Sequence, residues 1–194
     1  MRLPAIILFS LAVATPVTAA NAPDPAVARL MALFDDLCLQ TFPDDAALDA
    51  AMERMEARPL TAEEVRRTFN DDPGRGWVLQ DEGRSVQIML ELPPYHACSV
   101  RRGTSAGLDN AEPWRAMVDA FAGQHGQMTP DTPYEQVRDG IKISARVDFR
   151  PLPGGGRESL MVFEQQVMDP QRRANGETGV DLRFVRQIYT PPQR

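Results

Sequence analysis

The sequence predicts an α+β domain, an antiparallel sheet of about six strands in the order ααα-βββ-α-βββ with its helices packed on one face. Three observations lead there. Apolar residues recur at helical spacing up to about residue 69, and from Trp77 the period falls to two. One further helical stripe follows near residue 114, and from Ile141 to Tyr189 the period is two again. Strands that come in runs rather than alternating with helices argue antiparallel pairing, with one face covered and the other wet.

The chain opens on a leader. Met1-Arg2 gives one early positive charge, Ala5 to Ala14 is apolar apart from Ser10, and Pro16 precedes the small residues Val17, Thr18, Ala19 and Ala20. That order predicts a signal peptide over residues 1–20, cut after Ala19 or Ala20. The apolar run is shorter than the roughly 20 residues a bilayer span requires. The first cysteine, Cys38, is far from the cut, so no membrane anchor is expected. Residues 21–194 then form a single α+β domain, long enough to bury about 70% of its unfolded surface.

Asp24-Pro25 reads as a cap with proline at the first helical position, and Val27, Leu30, Met31, Phe34, Leu37 and Cys38 form one stripe behind it. A second helix is expected from about Asp45 to Ala57, with Leu48, Met52 and Met55 inward. The third carries a capping box, Thr61 with Glu64 three residues on, and ends before the loop from Asn70 to Gly76. Strands follow at Trp77 to Gln80, Ser85 to Leu92 and Tyr95 to Arg102, with Pro93-Pro94 turning the last pair. Trp114, Met117, Val118 and Phe121 place a fourth helix over about Asn110 to Ala122, with Gly123 beyond its end. In the last third, Ile141, Ile143, Ala145, Val147 and Phe149 alternate with Lys142, Ser144, Arg146, Asp148 and Arg150, the clearest half-buried strand in the chain. Leu160 to Met168 and Val180 to Tyr189 complete the set, with Pro153 to Gly156 and Asn175 to Gly179 as hairpin loops.

Two cysteines in an exported chain allow one intramolecular pairing, Cys38 with Cys98, which ties the third strand to the first helix. Net charge is −6 at pH 7 and becomes −7 once Arg2 leaves with the leader, which disfavours adhesion to nucleic acid or anionic lipid. Lys142 is the sole lysine.

Four features are candidates for chemistry. Gly103-Thr104-Ser105-Ala106-Gly107 fits the G-x-S-x-G elbow of serine hydrolases and follows a predicted strand. An elbow leads directly into a helix, whereas Leu108-Asp109 intervene here, and the base would have to be His125, with Asp109 or Asp119 as the acid. His96 and Cys98 share a strand face at a chelating spacing, but a metal site needs three or four ligands, and Cys98 is better placed in the disulfide. The doublets Asp35-Asp36, Asp44-Asp45 and Asp71-Asp72 lack the pattern of a calcium loop. Gly154-Gly155-Gly156-Arg157 lies between strands without the lysine and Ser/Thr of a phosphate-binding loop. The residues therefore imply no cofactor and no metal.

The leader, the first helix ending near a lone cysteine (Phe34 to Cys38), and the strand Pro94-Tyr95-His96-Ala97-Cys98-Ser99-Val100 resemble small exported proteins of unknown function from Gram-negative bacteria. The resemblance implies an envelope location and a Cys–Cys pairing. It carries no catalytic residues.

The expectation is thus a non-enzymatic periplasmic or secreted protein that works by binding. Its candidate surface is the polar sheet face, where Lys142, Arg146 and Arg150 are expected to gather with Ser99, Arg101 and Arg183. Its partner would be a protein or a small anionic ligand of the envelope. The alternative is a serine hydrolase using Ser105.

Overall fold

A computed structural model describes residues 23–191; the expected signal peptide lies outside them. Helix α1 (Pro25–Phe34) starts where the Asp24 side chain accepts from the Ala26 amide, and it continues as a π-helical turn, Asp35–Leu39, that carries Cys38. Helix α2 (Asp45–Arg54) is capped by Asp44, which accepts from the Ala47 amide. A two-residue strand β1 (Arg58–Pro59) precedes α3 (Ala62–Phe69), whose capping box of Thr61 and Glu64 is formed and whose end is closed by Asn70 at φ 50°. Strands β2 (Gly74–Asp81), β3 (Arg84–Glu91) and β4 (Tyr95–Thr104) form the first meander. Helix α4 (Glu112–His125) runs through Gly123 and ends at Gly126, whose φ of 107° closes it, three residues later than expected.

Short strands β5 (Thr129–Pro130) and β6 (Tyr134–Arg138) lead into β7 (Ile141–Pro151), β8 (Arg157–Val167), a one-turn helix α5 (Pro170–Ala174) and β9 (Val180–Tyr189). All nine strands belong to one antiparallel sheet, ordered β1-β2-β3-β4-β9-β8-β7-β5, with β6 also on β7. The six expected strands are present. The three additional ones have no period to betray them: β1 and β5 are two residues long with a proline in each, and β6 is exposed along its whole length.

Antiparallel register puts directly paired residues on one face. Ile88, Val100, Phe184 and Val162 form one such row, and Leu90, Cys98 and Arg186 belong to the next. This face carries the core. Phe34 of α1 and Trp114 of α4 both stack on Phe184, Asp45 of α2 meets His96, and Cys38 is bonded to Cys98.

Two expectations about faces are corrected. Helix α3 does not lie with the others. Phe69 and Leu60 occupy the space where a Cβ on Gly74 and on Gly76 would project, so α3 sits against the opposite face at the β2 edge, and both glycines are needed for that approach. Strand β7 is also inverted relative to expectation. Arg146 pairs with Val162, Asp148 with Leu160 and Arg150 with Glu158, which places Lys142, Arg146 and Arg150 on the helix-covered face. Ile141, Ile143, Val147 and Phe149 point to the other side. The polar row is accommodated because it is paired: Asp148, 2% exposed, accepts from Trp114 Nε1 at 3.0 Å and from Arg115 Nη1 at 2.8 Å.

Candidate functional site

The six residues expected on one polar face are divided among three places. Arg150 is part of a buried ion cluster on the helix side. Its Nε donates to Glu158 at 2.6 Å, and the other Glu158 oxygen accepts from Arg186 Nε at 2.8 Å. Arg186 Nη1 donates to the carbonyls of Cys38, Leu39 and Phe42, so the guanidinium caps the end of the π-helical turn, where the helix dipole favours a cation. Every charge in this cluster has a partner, so it serves architecture.

Lys142 and Arg146 border a polar cavity of about 290 Å³ beneath β6 and the β4–α4 loop. Lys142 pairs with Glu135 at 2.9 Å, while Arg146 Nη1 lies 3.5 Å from the Leu108 carbonyl.

Arg101 and Arg183 are with Ser99 on the opposite face, the helix-free face apart from α3 at its β2 edge, and directly opposite each other on β4 and β9. Like charges in this relation repel. Asp181, two residues before Arg183 on the same face, relieves Arg101: both carboxylate oxygens accept from the Arg101 Nε at 2.9 Å, and a second contact runs to Nη2. Arg183 has no such relief. Its Nε donates to Ser99 Oγ at 3.2 Å, and among the described residues no carboxylate comes within ion-pair distance of it. Burial, then the Arg101 charge, lowers its pKa, while Glu91 and Asp181 act in the opposite sense. Glu91, on the same face, is pushed up by burial and pulled down by Arg183. Arg101, Asp181 and Arg183 line a cavity of about 160 Å³ with Phe163 and Gln165. Gln165 and Asp181 also border a larger cavity, about 660 Å³, which opens where the β8–β9 connection folds over the end of this face.

Ser105 lies at that larger cavity too. Its Oγ donates to Asp24 at 3.2 Å. Neither histidine is near. His96 and Ser105 are at opposite ends of β4, about 30 Å apart at the rise of a strand. His96 Nε2 is engaged by Asp45 at 2.8 Å. His125 stacks on Phe121 at the end of α4, and its carbonyl accepts from Arg150, at the same sheet end as His96. Burial and the Arg186 charge depress its pKa.

The acidic doublets have local roles. Asp35 accepts from Gln40 Nε2, Asp44 caps α2, Asp45 holds His96, and Asp71-Asp72 is an exposed turn. Among the described residues no three His, Cys, Asp or Glu side chains gather as a metal would require, and no helix is long and apolar enough to cross a membrane.

The residues missed from the sequence are Phe163, Gln165 and Asp181. They join Arg183 only through the β8–β9 pairing, which period alone does not give. Compared with known protein families, curated proteins and solved structures, the chain matches none of them.

Proposed function

We propose that the chain is an exported, non-enzymatic binding protein whose ligand is a small organic anion held on the helix-free face of the sheet. The observation that carries this reading is Arg183: a half-buried guanidinium set opposite a second arginine, with Ser99 as its one side-chain hydrogen-bond partner among the described residues. A guanidinium has five N–H donors in a fork that matches a carboxylate or phosphate. An anion bound there would satisfy the free donors and offset the Arg101–Arg183 repulsion together. Export is supported by the Cys38–Cys98 disulfide, which suits an oxidising compartment.

The test is a thermal-shift survey of small carboxylates, sulfonates and phosphates on the mature protein and on Arg183→Gln. At about 100 times its Kd, a ligand stabilises by about 2.7 kcal/mol, a Tm rise of roughly 5–10 °C for a domain of this size. The wild type should show such a rise with one anion class and Arg183→Gln should lose it. A survey in which no anion moves the wild-type Tm contradicts the reading.

The hydrolase alternative has a serine beside the 660 Å³ cavity in its favour, but no histidine in reach. Ser105→Ala is expected to change stability by no more than about 0.5 kcal/mol. An active-site serine probe should leave Ser105 unlabelled; stoichiometric labelling there would favour the hydrolase.

A further inference from the structure

We infer that the ligand is a single-chain amphipath, an anionic head on an unbranched apolar tail, with the head at Arg183 and the tail along β7 and β8. The inference rests on the reading of the helix-free face as an anion site and adds the class of anion.

An antiparallel sheet face turned to water is ordinarily polar. This one presents Ile143 and Val147 from β7, and Met161, Phe163 and Val167 from β8, all half-buried, while α3 packs on that face across the sheet at β2. Register joins the charged and apolar parts. Phe163 is the direct partner of Arg183, so a head group on the guanidinium starts its tail against the phenyl ring. From Phe163 the row continues past Ile143, the partner of Gln165, to Val167 and its partner Ile141. That path is about 13 Å long at the rise of a strand, the reach of a medium-length alkyl chain. It ends in the 660 Å³ cavity, which Ile141 and Val167 line. A volume of this size is within the range of small-molecule sites, and an apolar lining with a few convergent polar groups is their usual character.

Charge selects this occupant over the two other ways of covering an apolar face. A second copy docked face to face would set the Arg101 and Arg183 of each chain on the same buried interface, because a twofold contact uses one patch twice. An anionic bilayer would meet a mature chain of net charge −7, which repels an anionic surface as a whole. A single small molecule takes the local cation and the apolar track together.

The experiment is titration calorimetry of the mature protein with straight-chain carboxylates of four to twelve carbons, kept below their micelle concentrations. Affinity should rise by about fourfold per methylene, then level off once the tail has run the length of the track. Arg183→Gln should weaken every member of the series by a similar factor. Ile143→Asp, with its fold checked by circular dichroism, should weaken long chains at least tenfold and leave the shortest unaffected. Carboxylates that bind with an affinity independent of length would overturn the amphipath and leave the anion site standing. A series in which no length binds would remove both. Fatty alcohols that bind as tightly as the matched acids would show that the head is not recognised. Sedimentation of the protein with phosphatidylglycerol vesicles, or a stable dimer that carboxylates dissociate, would hand the face to a bilayer or a second copy, and either result also overturns the proposal.

Discussion

Arg183 and Arg186 stand on one strand, three residues apart and therefore on opposite faces, and each face treats the same side chain differently. Arg186 is 4% exposed and fully engaged, by Glu158 and by three backbone carbonyls. Removing one member of a buried ion pair leaves the other uncompensated, which costs about 3–5 kcal/mol. Glu158→Ala should therefore lower the unfolding free energy by about that amount in urea titration, since it strands both Arg186 and Arg150. A loss below about 1 kcal/mol would show that the cluster is not structural. Part of this was legible in the sequence. Arg186 shares its strand face with Leu182 and Phe184, and a charge at the end of an apolar row implies a buried partner, whereas Glu158 lay outside the expected strand, which began at Leu160. Arg183 gave no comparable sign, because an arginine on the other strand face is equally at home in water.

Among the elements, those with a local signature match expectation most closely. The α3 capping box was readable from Thr61 and Glu64, and it forms. Glu64 is held at about 2, chiefly by its bonds to the Arg58 guanidinium and then by the Thr61 amide. Its folded pKa is depressed, so its contribution is whole above the ordinary value of 4.5 and is lost as pH falls through about 2. The difference in urea midpoint between wild type and Glu64→Gln should accordingly shrink towards zero as pH falls from 4.5 to 2. A difference that stays constant over that range would show that the carboxylate charge is not what caps α3.

The disulfide was legible from cysteine count and leader alone. It closes a separation of 60 residues between the π-helical turn and the middle of β4. Replacing both cysteines by serine should lower stability by up to about 4 kcal/mol in the chain-entropy account; no change in Tm would contradict it. Strand β7 is the instructive miss. Its alternation identified a strand correctly, but a period of two is the same whichever face turns inward. The usual assignment of apolar residues to the core failed because the helices supply Trp114 and Arg115 to Asp148, while the helix-free face keeps the aliphatic row.

At the scale of the whole molecule, two three-stranded meanders, β2–β4 and β7–β9, meet along their last strands. The β4–β9 seam brings Arg101 to Arg183, and the β8–β9 pairing adds Phe163. Arg101 and Arg183 are 82 positions apart in the chain, so their meeting depends on topology that composition and spacing do not carry. The inward turn of the other face of β7 separates them from Lys142, Arg146 and Arg150, which the sequence alone would have grouped with them.

If the helix-free face, and not the helix-side cavity of Lys142 and Arg146, takes the ligand, side-chain NMR of the mature protein titrated with octanoate will locate it there. The Arg183 Nε–H resonance and the methyl groups of Ile143 and Met161 should shift together and saturate at one Kd, with Arg146 Nε–H unmoved. Saturable shifts at Arg146 and Lys142, with Arg183 unmoved, would contradict that placement.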